Sequence, residues 1–330
     1  MVTIRDVAKV AGVSTATVSR VVNGQGKVGE QCRARVTKVI KELGYEGGSK
    51  KSNTPVNNAP IIGLVTPKIS MTFFGLLAAG AEEAARELGC NLMICNSLYE
   101  KESELQSINS LLEQGCQSII LHSEYTEEKE LESLANKIPG LVLINRFVPS
   151  ISERCVWFDN ISSAQKGANF LIESGHKKIA VISSIYQNGD PNARLMGTKQ
   201  AMLLNGLNLE KDMIFEAAAN IEGGIEATLE LINSGNSFTA IIAYNDLMGI
   251  GAIHALNEAG IRVPEEVAVL GFDDLPIAKA CLPKLSTMAY PIEEMAKYAV
   301  NLSKTLLDDS PKHSKQTHLF VSELVKRQST

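Results

Sequence analysis

Residues 3–23 read TIRDVAKVAGVSTATVSRVVN, and this stretch predicts two short helices joined by a tight turn. Thr3 stands where an N-cap is expected, with Asp6 three residues later as in a capping box. Gly12 suits the turn, and Ser14 is placed to cap the second helix. Two short helices joined by a glycine-containing turn are typical of a helix-turn-helix.

The predicted second helix has an apolar side and a polar side. Its apolar side carries Val18, Val21 and Val22. Its opposite side carries Thr15, Ala16, Ser19 and Arg20. A third helix is predicted near 30–43, with an apolar stripe and outward basic residues, and it stops at Gly44. One side of the second helix therefore packs in a core, and the other is free to contact a partner.

Charge is distributed unevenly along the 330 residues. Residues 1–51 carry ten Lys and Arg and four Asp and Glu, so their balance is +6. The net charge of the whole chain is −5, which leaves −11 for the remainder. A small basic segment on a large acidic body suggests that the segment meets a polyanion and that the body has a different task.

A linker and an α/β core follow the basic segment. Residues 46–60, EGGSKKSNTPVNNAP, cannot form a core and predict the linker. Beyond residue 60, short apolar runs alternate with amphipathic stretches, which is typical of a parallel α/β sheet. Strands are predicted near 61–66, 91–95, 118–121, 141–144, 178–182, 239–242 and 267–271. Helices are predicted near 74–88, 101–114, 161–174, 192–205, 222–234 and 245–259.

About 270 residues exceed one comfortable core, so this part of the chain predicts two lobes with a cleft between them. In parallel sheets, ligands bind outside the carboxyl ends of the strands. The residues that directly follow each strand are therefore the candidates for a binding site.

Composition excludes several classes of protein. With 45% hydrophobic, 21% charged and 5% aromatic residues, the chain is neither disordered nor fibrous. It has no apolar run long enough to cross a bilayer and no secretory signal, so we expect a cytoplasmic protein without a membrane partner. Its six cysteines are scattered, with no Cys-x-x-Cys pair, and predict reduced core residues and no metal site.

Signatures of catalysis are missing from the sequence. There is no glycine-rich nucleotide loop after a strand, no Walker loop, no His-Glu-x-x-His and no Gly-x-Ser-x-Gly. His176 follows Gly175, and a helix end before a strand explains it better than a catalytic base. We therefore expect no enzyme, no catalytic residue and no cofactor.

The stretch 3–23 closely resembles the N-terminal signature of the lactose/galactose-repressor family of bacterial transcription regulators. The core is similar to the same family through Ile62-Gly-Leu-Val, Ala243-Tyr-Asn-Asp, Val263-Pro and Gly271-Phe-Asp-Asp. Within the family, it resembles galactose repressors and isorepressors most in stretches such as Cys95-Asn-Ser, His122-Ser and Phe272-Asp-Asp-Leu-Pro-Ile-Ala. Val156-Trp157 resembles β-glucoside repressors, so the ligand stays open.

This resemblance implies an all-α helix-turn-helix headpiece and an α/β core like the periplasmic sugar-binding proteins, with parallel sheets and three crossovers. The implied domains are the headpiece at 1–45, a hinge at 46–60 and an effector and dimerisation domain at 61–330. Its first lobe would comprise about 61–159 and 292–319. Its second lobe would comprise about 160–290.

The resemblance also implies residues that contact double-stranded operator DNA. They are Thr3, Ser14, Thr15, Ala16, Thr17, Ser19, Arg20, Asn23 and Lys27. In the major groove, Arg20 suits guanine and the Ala16 methyl suits thymine. Ser14, Thr17, Ser19 and Asn23 suit phosphates, although Ser14 also suits a purely structural cap.

The hinge departs from the family pattern. Relatives follow the tyrosine matched by Tyr45 with a proline, an asparagine and a short helix whose leucine wedges open the minor groove. This chain has Gly47 and Gly48 at the first two places, and Pro55 near the leucine place. We expect weaker operator binding that is less tightly coupled to ligand, the alternative being that Lys50 and Lys51 hold the DNA backbone without a kink.

Family effector positions fall at the strand ends identified above. They are Phe73, Phe74, Asn145, Arg146, Arg194, Asn245, Asp246, Asp273 and Tyr290. Carboxylates, amides and a guanidinium suit vicinal hydroxyls, and aromatic faces suit a sugar ring. The alternatives are that Asp246 caps its helix, that Asp273 organises a turn, and that the aromatic residues belong to the core.

The resemblance therefore implies a homodimeric repressor of galactose or galactoside genes that is released from its operator by a sugar. One alternative is a regulator that responds to a β-glucoside or another small ligand. Another is a cytoplasmic sugar-binding module without operator function. A third alternative is an activator or a dual regulator, because the position of the operator determines whether binding represses or activates transcription.

Overall fold

The computed structural model describes residues 2–22, 26, 28–45, 59–186, 189–308 and 317–330. Two compact units divide the chain, Met1–Asn58 and Ala59–Thr330. Asn23, Lys27 and hinge residues 46–58, all of which carry predictions, lie outside the described residues.

The N-terminal unit contains three helices, α1 (Ile4–Ala11), α2 (Thr15–Val22) and α3 (Glu30–Leu43). Thr3 and Asp6 form the capping box, in which the Thr3 backbone N–H donates to the Asp6 carboxylate at 2.8 Å. Gly12 ends α1 with a φ of 62°, in the left-handed region that glycine adopts readily. The predicted helix-turn-helix is thus confirmed.

The three helices pack around one small apolar core. Val7, Val18 and Val36, one from each helix, are fully buried at its centre. Val21 and Val22 are half-buried and pack against the same cluster. The apolar side of α2 therefore faces inward, as the sequence predicts.

The second unit contains two six-stranded sheets. The first has the order β11-β5-β4-β3-β1-β2, and all its pairs are parallel. The second has the order β12-β10-β9-β8-β6-β7, in which only β12 runs antiparallel to its neighbour. The strands are β1 Ile61–Thr66, β2 Asn91–Asn96, β3 Ser118–Leu121, β4 Gly140–Ile144, β5 Cys155–Phe158, β6 Ile179–Ser184, β7 Ile214–Ala217, β8 Ala240–Ala243, β9 Ala268–Asp273, β10 Ser286–Ala289, β11 His318–Phe320 and β12 Glu323–Val325.

Helices flank both sheets. They are α4 Thr72–Glu87, α5 Lys101–Glu113, α6 Glu128–Lys137, α7 Asn160–Glu173, α8 Asp190–Leu204, α9 Ile221–Asn233, α10 Asp246–Glu258 and α11 Ile292–Asp308, with short 3₁₀ turns at Pro149–Arg154, Lys211–Met213 and Pro276–Lys279. We call the first sheet with α4–α6 and α11 the first lobe, and the second sheet with α7–α10 the second lobe. The chain passes between the sheets after β5, after β10 and after β11.

Buried apolar clusters lie on the faces of both sheets. In the first lobe, one cluster includes Leu64 and Val142, and another includes Val65 and Leu141. The side chains of successive strand residues thus point to opposite faces of the sheet, and both faces are covered by apolar clusters. The two-lobed α/β class predicted from the sequence is confirmed.

Within the described part of the chain, no helix is both long and apolar enough to cross a membrane. All six cysteines are free thiols.

Candidate functional site

A cavity of about 380 Å³ lies between the two lobes, at the carboxyl ends of their strands. From the first lobe, it is lined by residues that follow β2, β3 and β4: Tyr99, His122, Ser123, Glu124, Asn145 and Arg146. From the second lobe, it is lined by residues at or after the ends of β6, β8 and β9: Tyr186, Tyr244, Asn245 and Asp273. The placement follows the general rule for ligand sites in parallel sheets.

Backbone conformation is unusual at three of these positions. Tyr99, Asn145 and Asp273 have φ values of 60°, 59° and 107°. A non-glycine residue with positive φ is strained, and such residues concentrate at functional sites. The strand ends are therefore shaped to turn these side chains toward the cavity.

Arg194, near the start of α8, has hydrogen-bond partners at all three of its side-chain nitrogens. Its Nε donates to Asn160 Oδ1 at 2.8 Å, its Nη1 to the Tyr244 carbonyl at 2.6 Å and its Nη2 to Asp273 Oδ1 at 3.2 Å. Its guanidinium carbon lies 3.7 Å from the centroid of the Phe272 ring. Burial raises the pKa of Asp273 to about 7, although Arg194 opposes that rise. Arg194 and Asp273 thus form a fixed, buried ion pair at the base of the cavity.

A second polar group joins the two lobes. Asn145 of the first lobe donates from Nδ2 to Asp190 Oδ2 at 2.8 Å, and Asp190 begins α8 of the second lobe. Asn160 donates to the other Asp190 oxygen at 2.9 Å, and the Tyr290 hydroxyl donates to Asn145 Oδ1 at 2.5 Å. Asp190 therefore accepts amide hydrogen bonds from both sides of the cleft.

The end of β3 forms an acidic wall. Burial raises the pKa of Glu124 to about 7, and the charges of Asp190 and Glu104 add to the rise. Burial lowers the pKa of His122 to about 4, so its imidazole is neutral at pH 7. Arg146 donates to the backbone carbonyls of Glu124 and Thr126, at 3.0 and 3.2 Å.

Aromatic side chains supply apolar surface. Phe73 and Phe74 lie edge to face with centroids 5.3 Å apart. Tyr99 and Tyr186, one from each lobe, are stacked with centroids 5.7 Å apart and planes within 7°. Such faces suit the C–H side of a sugar ring.

Of the nine predicted effector residues, all within the described chain, seven line the cavity. They are Phe73, Phe74, Asn145, Arg146, Arg194, Asn245 and Asp273. Tyr290 is buried behind the cavity and bonds to Asn145, so it positions a lining residue.

Asp246 differs from its prediction. It is fully buried, and its carboxylate accepts from the Thr287 hydroxyl at 2.6 Å and from the Leu275 N–H at 2.7 Å. The residue that caps α10 is Asn245, which accepts from Met248 N at 2.9 Å. Asp246 therefore ties β9 and β10 to α10, and neither its predicted ligand contact nor its alternative cap role describes it.

The sequence did not predict the other eleven cavity residues, which include the polar or aromatic side chains of Tyr99, His122, Glu124, Tyr186 and Asp190. His122 and Glu124 directly follow β3, so the strand-end rule was the signal that could have found them. Trp157, from the stretch that resembles β-glucoside repressors, packs on Phe147 with centroids 4.9 Å apart and is not among the cavity-lining residues. Among the described residues, no cluster of His, Cys, Asp and Glu could hold a metal ion.

The N-terminal unit presents a second candidate surface on α2. Thr15, Ala16 and Arg20 are exposed there, and Ser19 is half-buried. Ser14 accepts from Thr17 N at 3.1 Å, so it caps α2, and Thr3 caps α1. The exposed side of α2 is thus free to enter a groove of DNA, with side chains suited to base edges.

Comparison with known proteins agrees with both surfaces. Residues 3–47 match the family described as bacterial regulatory proteins, lacI family, and residues 168–330 match the periplasmic binding protein-like domain. The HTH-type transcriptional regulator GalS of Salmonella typhimurium is 37% identical, with 100% of this chain and 96% of the relative covered. GalR of Escherichia coli is 35% identical, with the same coverage of both chains. A solved complex of the transcriptional regulator CelR with cellobiose is 26% identical, covers both chains completely and has a TM-score of 0.71.

These relatives and this fold are those of transcription regulators and not of enzymes. The chain belongs to the LacI family of bacterial regulatory proteins and is a DNA-binding transcriptional regulator.

Proposed function

We propose that this regulator is a homodimeric repressor that leaves its operator when a sugar of the galactose or galactoside class binds between its lobes. The single observation that carries the proposal is the cavity itself, which combines amides, carboxylates and guanidinium groups with aromatic faces. Its volume, about 380 Å³, falls in the range of small-molecule sites, about 300–1,000 Å³. The resemblance to galactose repressors supports the choice of sugar.

The proposed sugar contacts are with the seven lining residues predicted from the sequence, together with Glu124, His122 and Asp190. Asn145 and Asp190 come from opposite lobes, so a ligand that bonds to both favours the closed cleft. Closure is proposed to shift the lobes at the dimer face and to separate the headpieces. For this to release DNA, the sugar must bind the DNA-free state more tightly, because equal affinity for both states shifts nothing.

The proposed DNA contacts follow from α2. Arg20 would bond to a guanine edge and Ala16 would touch a thymine methyl, while Thr3, Ser14, Thr15, Thr17, Ser19, Asn23 and Lys27 would fix the register. We keep the domain division proposed from the sequence: a headpiece at 1–45, a hinge at 46–60 and a core at 61–330. Two headpieces in a symmetric dimer would then read a palindromic operator.

A β-glucoside is the second candidate ligand. It is favoured by the likeness to a regulator solved with cellobiose. The sequence argument for it is weaker, because Trp157 packs on Phe147 and is not among the cavity-lining residues.

Calorimetric titration tests the proposal. The full chain is titrated with galactose, methyl β-galactoside, cellobiose and a purine base, alone and with a palindromic DNA selected from a random pool. We expect heat from galactose or its glycoside, with a lower affinity when DNA is bound. Silence from every sugar while DNA still binds would remove the proposed effector class and leave the DNA-binding function intact.

Two pairs of variants sharpen this test. Asn145→Ala removes a cavity contact and should lower sugar affinity, whereas Asn208→Ala, at an exposed loop residue, should not. Arg20→Ala should weaken operator binding and relax the preference for guanine at one position, by about 1–3 kcal/mol, whereas Arg262→Ala should not. Sedimentation of the full chain would check the dimer.

A further inference from the structure

More carboxyl groups than guanidinium groups line the cavity. Three carboxylates line it, those of Glu124, Asp190 and Asp273, against the guanidinium groups of Arg146 and Arg194. Charges interact strongly where water is scarce. The charge that a ligand encounters in the cavity therefore depends on which of these groups are already paired with each other.

Arg194 is fully engaged at the base of the cavity. Its three nitrogens donate to Asn160, to the Tyr244 carbonyl and to Asp273. Three of its five N–H groups are therefore already bonded, and its charge lies beside Asp273.

Arg146 is engaged on the other wall. It donates to two backbone carbonyls. Behind the wall lies Glu104, 2% exposed, whose pKa is raised by burial, a rise that its hydroxyl partners and the charge of Arg146 oppose. Glu104 in turn accepts from the Ser123 hydroxyl at 2.8 Å and from the Thr126 hydroxyl at 2.5 Å. Arg146 is thus shared between Glu104 and Glu124.

Among the described residues, neither Glu124 nor Asp190 forms an ion pair with a lysine or an arginine. In the described part of the chain, the hydrogen bonds to the Asp190 carboxylate come from the neutral amides of Asn145 and Asn160. The nearest cationic candidate to the Glu124 carboxylate is His122 Nδ1 at 3.9 Å, and burial keeps that imidazole neutral at pH 7. Burial and the negative charges of Asp190 and Glu104 also raise the pKa of Glu124, which shows that its charge is poorly compensated.

An independent observation also points to a ligand at this wall. His122 is 4% exposed, and among the described residues its Nδ1 has no hydrogen-bond partner. A buried polar atom without a partner costs free energy, so such atoms mark places where a ligand or water completes the bonding. His122 and Glu124 line the same cavity two residues apart.

From this geometry we propose that the cavity selects a sugar in which an ammonium group replaces one hydroxyl, and that Glu124 is the residue that determines this specificity. The inference rests on the proposed function, because it names the class of sugar that the same cavity takes. The ammonium donates to the Glu124 carboxylate, which lies 3.9 Å from the unpartnered His122 Nδ1. Phosphorylated sugars are excluded, because their charge meets Glu124 and Asp190 without a free cation.

Titration calorimetry with matched sugars tests this inference on the full chain. The probes are galactose, 2-amino-2-deoxygalactose, 6-amino-6-deoxygalactose and galactose 6-phosphate, with the four corresponding glucose compounds. We expect at least one amino sugar to bind about tenfold more tightly than its neutral parent, and the phosphate to bind at least about tenfold more weakly. The ratio of affinities within a set is the readout, so the sugar stereochemistry need not be known beforehand.

The variant Glu124→Gln keeps the size of the side chain and removes its charge. We expect the ratio between the amino and the neutral sugar to fall to near one in this variant. Glu128→Gln, at an exposed residue nearby, should keep the wild-type ratio. If Glu124→Gln does not fold, the wild-type ratios still decide the question.

The outcomes separate this inference from the proposed function. Neutral sugars that bind as tightly as both amino forms, or a phosphate that binds more tightly, would overturn the inference and leave a sugar-responsive repressor. An amino preference that persists in Glu124→Gln would overturn the role of Glu124. Silence from all eight sugars would overturn the proposed function and the inference with it.

Discussion

At the scale of single residues, Arg194 is the side chain on which most of the cavity depends. It is 6% exposed and is the cation nearest to buried Asp273. Removing one partner of a buried ion pair leaves an uncompensated charge, which costs about 3–5 kcal/mol. We therefore expect Arg194→Ala to lower the free energy of unfolding by about that amount, as measured by urea denaturation followed by circular dichroism.

Arg194→Lys should have an intermediate effect, because lysine keeps the charge but cannot bond to three acceptors in a planar fork. Arg262→Ala is the control, since its side chain is 71% exposed and pairs only with Glu266 on the surface. It should change stability by no more than about 0.5 kcal/mol. Equal losses of stability in Arg194→Ala and Arg262→Ala would show that the buried ion pair contributes no more to stability than the surface pair.

His122 gives a prediction about acid stability. Its pKa is about 4 in the folded chain against 6.5 for an ordinary histidine, because burial disfavours the charged imidazole. Above pH 6.5 the side chain is neutral in both states, so its full contribution to stability is present. As the pH falls toward 4, only the unfolded chain gains the proton, and up to about 3 kcal/mol of stability is lost.

Denaturation of the wild type and of His122→Gln at several pH values tests this sign. The difference between their free energies of unfolding should shift in favour of the variant as the pH falls from 6.5 to 4. A difference that is constant with pH would contradict the prediction.

The residue scale also shows how far a sequence can predict a site. The strand-end rule and the family positions lead to Asn145, Arg146 and Asp273, because a strand end can be located from its apolar run. Glu124 follows β3, so the strand-end rule could have found it, although a charged residue after a strand also looks like solvated loop. Asp190 begins α8, and only the approach of the two lobes, which no local pattern encodes, brings it to the same cavity.

At the scale of helices and strands, thirteen elements of the core were predicted, whereas α6, the long helix α11 and the short strands β5, β7, β10, β11 and β12 were missed. The predicted strands and helices of the core agree with the structure to within two residues. The helix α6 was missed because its sequence, EKELESLANK, is mostly charged or polar and buries only Leu131 and Ala135. The edge strand β7, with four residues and one of them buried, lacks the apolar run that marks a central strand.

Replacement by alanine is predicted to have opposite effects on stability at two glycines of α4. A methyl group added at Gly80 would lie 2.4 Å from the carbonyl oxygen of Glu293, at the contact between α4 and α11. The backbone there cannot move away cheaply, so Gly80→Ala should destabilise the chain by about 1–3 kcal/mol or more. At Gly75, in the first turns of the same helix, the nearest atom would be 3.9 Å away.

Gly75→Ala should therefore stabilise the chain by up to about 1 kcal/mol, through the higher helix propensity of alanine. Thermal denaturation of the two variants beside the wild type gives both signs in one experiment. A loss of stability in both would mean that helix α4 tolerates no added methyl group. A gain in both would mean that α4 and α11 pack less closely than the structure has them.

At the scale of the whole core, two contacts reach across the cleft. Asn145 bonds to Asp190, and Tyr99 stacks on Tyr186, where the two lobes meet at the cavity. The chain passes three times between the lobes, and these connections leave the relative position of the lobes adjustable. Contacts across the cleft therefore shift the equilibrium between open and closed forms. Because Tyr186 is 43% exposed, the stack stands at the rim of the cavity, where a ligand enters or leaves.

We expect Tyr186→Ala to lower sugar affinity about three- to tenfold, because an aromatic pair contributes about 0.5–1.5 kcal/mol. The loss should lie in faster dissociation of the sugar, since a weaker stack lets the closed cleft reopen sooner. Tyr186→Phe keeps the ring and should retain wild-type affinity. Stopped-flow displacement of bound sugar measures the rates, and a rate unchanged in Tyr186→Ala, or raised equally in Tyr186→Phe, would show that the stacked pair does not hold the cleft shut.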